Sequence, residues 1–196
     1  MARAIHPIER ESYRILRERI DLSHLPPLSR AVAERVIHAA ADLSFGTSLI
    51  LDEPALQAGR EALRAGAPIY TDARMVAAGI TSRTPIVPLD DPRAKAGAAT
   101  TRSAAAMRLA TTEAPANAVW VIGNAPTALQ ALLDHPPRHP ALIVGLPVGF
   151  VGAAEAKAAL AQSSLPHVTN RGERGGSAVA VAAVNALLYF EDEEAA

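Results

Sequence analysis

Between residues 141 and 188 the chain passes twice from a short apolar run into a helix through clustered glycines, and this repeat narrows the possible folds more than any other feature. The run at 141–144 leads through Gly145-Leu-Pro-Val-Gly-Phe-Val-Gly152 into an alanine-rich helix from Ala153. The run at 167–169 leads through Arg171-Gly-Glu-Arg-Gly-Gly-Ser177 into a final helix. A third copy lies upstream, where the run at 119–122 turns through Gly123-Asn-Ala-Pro126 into a helix reaching Leu133. There Asn124 is the expected cap, and Pro126 falls in the first turn. Short, continuously apolar strands that each feed a helix predict a parallel sheet buried on both faces. The expected architecture is an α/β fold, a three-layer α/β/α sandwich with a mostly parallel central sheet. It is expected to form a single domain over 1–196, with 1–7 and 191–196 flexible and the acidic stretch from Glu191 to Glu194 solvated.

The first half is more helical. Helices are predicted at 7–20, from a Ser29 cap to about 41, at 54–65 with Gly66 just past the end, at 72–78 stopped by Gly79, and at 103–113. A short apolar piece spans 68–70, and the proline-punctuated 81–93 reads as loop.

With 49% hydrophobic but only 4% aromatic residues, the core of this 196-residue chain must be built from Ala, Val, Leu and Ile. Basic and acidic residues nearly balance, 19 against 20, which argues against non-specific nucleic-acid binding. Lysine occurs only at Lys95 and Lys157, the other cations being arginine. Arginine's planar fork suits paired contacts to carboxylates. The absence of cysteine removes disulfides, thiol nucleophiles and Cys-ligated metals. The polar N-terminal stretch does not read as a signal peptide, and no apolar run approaches the ~18 residues of a membrane span. A soluble cytoplasmic protein is expected, with no membrane partner.

Gly145, Gly149 and Gly152 are spaced G-x3-G-x2-G, unlike a dinucleotide fingerprint, and no Gly-Lys-Ser/Thr occurs. The spacing leaves open tight strand–helix packing or an anion cradle, the latter favoured by Arg171 and Arg174. On the 29–41 helix, Val32, Ala33, Val36 and Ala40 form one stripe, and His38 lies roughly opposite beside Glu34 and Arg35. His38 is thus either a solvent-facing histidine or an acid/base group with Arg35 beside it to hold a substrate carboxylate. His135 and His139 flank a Pro-Pro pair that denies them helical i, i+4 geometry, so no metal site is expected there. Ser177 reads as a helix cap rather than a nucleophile. The Thr100-Thr101-Arg102-Ser103 run is either a cap or an anion contact.

Six segments in order carry a resemblance: Arg35-Val-Ile-His38, Asp72-Ala-Arg-Met-Val-Ala-Ala-Gly79, Thr101-Arg-Ser-Ala-Ala-Ala-Met107, Gly123-Asn-Ala-Pro-Thr-Ala-Leu129, Gly145-Leu-Pro-Val-Gly-Phe-Val-Gly-Ala-Ala-Glu155 and Arg174-Gly-Gly-Ser-Ala178. Together the chain resembles the precorrin-8X methylmutase family of corrin biosynthesis, from about Ile8 to Leu188. The resemblance implies a cofactor-free, metal-free homodimeric isomerase. Such an enzyme moves a methyl group from C11 to C12 of a tetrapyrrole, giving hydrogenobyrinate or the cobalt-containing counterpart. It also implies His38 as the catalytic residue and Ser12, Arg35, Thr81 and Arg102 as substrate-binding residues. The chain departs from the family pattern at Ala40-Ala41 and in the proline-rich 81–88 loop. Two other readings remain at this level: a nucleotide- or phosphate-binding α/β module, and a corrinoid-binding protein without catalysis.

Overall fold

The structure, a computed structural model, describes residues 6–191. Most of the two ends expected to be flexible, 1–5 and 192–196, therefore lies outside the described residues, as does the acidic stretch beyond Glu191. A five-stranded sheet runs through the centre, formed by β1 (Leu49–Ile50), β2 (Ile69–Thr71), β3 (Val119–Ile122), β4 (Leu142–Gly145) and β5 (His167–Asn170) in the order β1-β5-β4-β3-β2. Strands β2 to β5 are mutually parallel, and β1 closes one edge antiparallel to β5. The expected three-layer sandwich is therefore present.

Alternation along the strands feeds two separate cores. Val119, Val121, Leu142 and Val144 face one layer, while Trp120, Ile122 and Ile143 face the other. The first layer holds α2 (Pro27–Ala40), α4 (Glu53–Arg64), α5 (Arg74–Gly79) and α9 (Ser177–Leu188). The second holds α6 (Arg102–Glu113), α7 (Pro126–Asp134) and α8 (Ala153–Gln162). Outside the first layer, α1 (Pro7–Arg19) leans on α2, and the single turn α3 (Phe45–Ser48) precedes β1. Neither α3 nor β1 is visible in the sequence, because two- and four-residue elements are too short for periodicity to register. Small residues substitute for aromatic bulk. A Cβ at Gly79 would meet the Val181 side chain at 2.7 Å, so α5 lies directly on α9.

Two helix starts are satisfied from far away in sequence. Ser29 is not the cap of α2, which begins after Pro26 without a side-chain cap. Instead the Glu53 carboxylate accepts from Leu28 N (2.9 Å), Ser29 N (2.8 Å) and Ser29 Oγ (2.6 Å). Asn124 likewise does not cap α7. The buried Asp72 carboxylate accepts from Gly123 N, Asn124 N and Ala125 N at 3.0, 2.8 and 2.6 Å. Burial pushes the Asp72 carboxyl up, against the pull of those three N–H groups. The turn that could have cradled an external anion is already filled by the chain's own carboxylate.

The two glycine-rich turns after β4 and β5 also bind each other. Gly149 N donates to Glu173 O (3.1 Å) and Gly176 N to Leu146 O (2.8 Å). A Cβ at Gly175 would lie 2.6 Å from the Pro147 carbonyl oxygen and closer still to that of Leu146. The fully buried Lys157 donates to Asn170 Oδ1 (3.1 Å) and to Arg174 O, and Asn170 Nδ2 donates to Arg171 O and Arg174 O at 3.1 and 2.9 Å. The second turn therefore points the Arg174 carbonyl oxygen inward at an ammonium, with Asn170 beside it. The anion-cradle expectation there gives way to an internal cation. Ser177 is the first residue of α9 rather than its cap, and its buried Oγ makes no hydrogen bond.

Two outcomes follow from this packing. Gly175→Ala should cost about 2–4 kcal/mol, measured by urea unfolding. Burial lowers Lys157 to about 8, with Glu173 pulling the other way. The unfolded chain then holds more protons than the folded one between pH 8 and the ordinary lysine value, so stability rises with pH in that window. The stability advantage of the native chain over Lys157→Met should accordingly widen between pH 8 and pH 10.

Candidate active site

The site is built where α1 lies across α2. A proline in the first turn and the His6 ring, whose Nδ1 accepts from Ile8 N (3.2 Å), start α1. Leu28, Val32, Val36 and Ile37 are buried on one side of α2, and α2 packs on α9. The face opposite that stripe meets α1 instead of open solvent.

Contacts one turn apart on each helix fix the register. Midway along α1, Ser12 Oγ lies 2.7 Å from His38 Nδ1. The Tyr13 ring stacks on the His38 ring with centroids 4.9 Å apart and planes 16° from parallel. One turn further along α1, Arg17 forms a bidentate pair with the buried Glu34, Nε to Oε1 at 2.9 Å and Nη2 to Oε2 at 2.8 Å. The Arg17 guanidinium also stands 5.9 Å from the Tyr13 ring centre. Glu34 raises the Arg17 guanidinium above its ordinary value. Burial pushes the Tyr13 phenol up, against the pull of Arg35, so Tyr13 is neutral at physiological pH.

On the other side of the same helix face, the Arg35 guanidinium lies over the Tyr189 ring at 5.4 Å. The Tyr189 hydroxyl lies 3.2 Å from Thr81 Oγ1. Arg35 makes no ion pair among the described residues, which leaves its donors available for a carboxylate. A groove of about 1080 Å³ opens between α1, α2 and the end of α9. Its walls mix arginines, Arg10, Arg14, Arg17 and Arg35, with as many glutamates, Glu9, Glu18, Glu34 and Glu191, beside Tyr13 and Tyr189 and small apolar residues such as Ala31 and Ala186. A groove of this size suits a large organic ligand, and Arg35 is the wall guanidinium placed to meet a carboxylate.

Of the five residues singled out by resemblance, Ser12 contacts His38 directly, while Arg35 and Thr81 meet through Tyr189, and Arg35 and Tyr189 share the groove with the Tyr13 that stacks on His38. Arg102 lies apart. It opens α6 in the opposite layer and donates to Leu89 O at 2.8 Å, while its neighbour Thr101 is the cap, accepting from Ala104 N at 3.2 Å. Tyr13, Glu34, Arg17 and Tyr189 were not singled out as site residues. The i, i+4 spacing of Tyr13 and Arg17, repeated by Glu34 and His38, is the one local signal that could have found three of them. Tyr189 follows α9 and reaches Arg35 only through tertiary packing. Among the described residues no group of three or more His, Cys, Asp or Glu side chains is placed to hold a metal ion.

The sequence matches known proteins along nearly its full length. A family model described as precorrin-8X methylmutase matches residues 7–190. A precorrin-8X methylmutase from Sinorhizobium is 45% identical, with 92% of each chain covered. A cobalt-precorrin-8 methylmutase from Salmonella typhimurium is 44% identical, covering 89% of this chain and 88% of that one. The crystal structure of a precorrin-8x methyl mutase from Thermus thermophilus superposes with a TM-score of 0.83 at 38% identity, covering 92% of this chain and 93% of that chain. With the family model and these relatives spanning the fold and the His38 cluster alike, the chain belongs to the precorrin-8X methylmutase family.

Proposed function

We propose that this isomerase moves a methyl group from C11 to C12 of a precorrin-8X-type tetrapyrrole, giving hydrogenobyrinate or the cobalt-containing equivalent, with His38 as the proton donor. The observation that carries this is the placement of His38 between Ser12 and Tyr13, next to a groove whose walls include Tyr13 and Arg35. A tetrapyrrole of this kind is a wide apolar ring edged with acetate and propionate carboxylates. Arginines at a rim and small apolar residues beneath complement that pattern. Arg35 takes one carboxylate, and Thr81 with Tyr189 borders the same edge.

Substrate and product are isomers, so no electrons are gained or lost and any proton lent is returned. His38 supplies a proton, or a strong hydrogen bond, to a ring nitrogen or carbon near the migration site, which biases the conjugated system toward the rearranged skeleton. General acid help of this kind is worth ~10²–10⁴-fold in rate. The chain acts as a homodimer in this scheme. Arg102, opening a helix in the opposite layer from His38, then contributes from a second copy. A cytoplasmic setting is in keeping with the absence of cysteine and, among the described residues, of any helix long and apolar enough to cross a membrane.

Incubating the purified chain with precorrin-8X and following the visible spectrum tests the proposal. Loss of the substrate bands with appearance of the corrin chromophore is expected, and an unchanged spectrum with competent substrate would sink it. Arg35→Ala should weaken tetrapyrrole binding about 10-fold or more, in line with the ~1.5–3 kcal/mol of a hydrogen bond to a charged group, as read by fluorescence or absorbance titration. Sedimentation equilibrium should give twice the chain mass.

A further inference from the structure

We infer that Ser12 and Tyr13 are positioning residues that fix the His38 ring through its Nδ1 edge and one face, so that Nε2 is the atom that handles the proton. The inference rests on the proposed role of His38. Ser12 Oγ lies 2.7 Å from Nδ1, within the range of a good hydrogen bond. Tyr13 covers one face of the ring nearly in parallel, at 4.9 Å and 16°. An imidazole on a helix retains two soft torsions, and one edge contact plus one face contact removes both. No hydrogen bond engages Nε2 among the described residues.

With Nε2 as the atom that gives and regains the proton, Nδ1 keeps its hydrogen throughout, and the Ser12 hydroxyl oxygen accepts from Nδ1–H in both states of the ring. Tyr13 is itself held by its surroundings: Arg17, anchored on the buried Glu34, stands against its ring. The line Glu34, Arg17, Tyr13, His38 therefore ties the ring's attitude to the seating of α1 on α2. Ser12, given by resemblance as a substrate contact, turns its hydroxyl to the imidazole in this structure.

The test is a set of mutant cycles on the full chain, with kcat and KM for precorrin-8X measured for Ser12→Ala, Ser12→Thr, Tyr13→Leu and Tyr13→Phe. Each variant is also combined with His38→Ala. Misorientation of a catalytic group costs on the order of 10–10² in rate. Ser12→Ala and Tyr13→Leu should lower kcat by about that factor, with KM within about twofold for Ser12→Ala, since groups acting as one unit lose rate rather than binding. Ser12→Thr and Tyr13→Phe should restore most of the loss, because each keeps the contact that matters. In the His38→Ala background neither Ser12→Ala nor Tyr13→Leu should slow the residual rate further. A raised KM at unchanged kcat for Ser12→Ala would make Ser12 a substrate contact and overturn the inference. Additive losses in the His38→Ala background would overturn it as well, marking a role independent of the imidazole. Where Tyr13→Leu fails to fold, the Ser12 cycle and the ¹⁵N shift of His38 Nδ1 in Ser12→Ala decide. An unmoved shift contradicts the hydrogen bond. A His38→Ala protein with native turnover would instead refute the role of His38, a failure distinct from loss of the cycle's non-additivity.

Discussion

Glu34 is buried on α2 four residues before His38, and a buried carboxylate is tolerable only when its charge is met. Arg17 meets it with two hydrogen bonds, and because Arg17 projects from α1 the pair dictates how α1 crosses α2. The rest of the site follows from that crossing. One turn back along α1 and one turn on along α2, the only residues that can face each other are Ser12 and Tyr13 against His38. α1 contributes little to the core, with Leu16 its one buried residue, so its place in the molecule depends heavily on this polar register. A helix with small hydrophobic commitment forms one wall of the groove beside His38.

The sheet's carboxyl edge has a different logic. Gly-rich turns before helices are well suited to external anions, yet in this molecule the internal groups arrive first. Asp72 occupies the turn before α7, and Lys157 fills the turn after β5; away from the sheet edge, Glu53 takes the start of α2 in the same way. These turns are scaffold. Through Arg174, which pairs with Asp42 at 2.6 Å, the scaffold is tied to the chain just past the end of α2.

Much of the fold was legible because the buried strands are continuous apolar runs: 119–122, 141–144 and 167–169 differ from β3, β4 and β5 by a residue at most at either end. What escaped was whatever depends on distant partners. Asn124 and Ser29 look like caps locally, but carboxylates 52 and 24 residues away do the capping. The strand β1 exists only because β5 offers it an edge. At the site, His38 stands out by lying off the apolar stripe with Arg35 beside it, and resemblance supplies Ser12 and Thr81. Tyr13 carries only the weak i, i+4 spacing to Arg17, and Tyr189 beneath Arg35 has no local pattern at all. Arg102 shows the reverse limit: a motif position marks a residue for a role without saying which layer of one chain it occupies.

The claim at the centre is that chemistry resides in one imidazole held at the α1–α2 crossing, while binding resides in the groove around it. Single-turnover measurement on His38→Ala with precorrin-8X tests this most directly, because it separates the two in one experiment. The tetrapyrrole should bind with near-native affinity while its conversion slows by about 10²–10⁴-fold. Conversion at the native rate, or loss of binding together with conversion, would contradict the account.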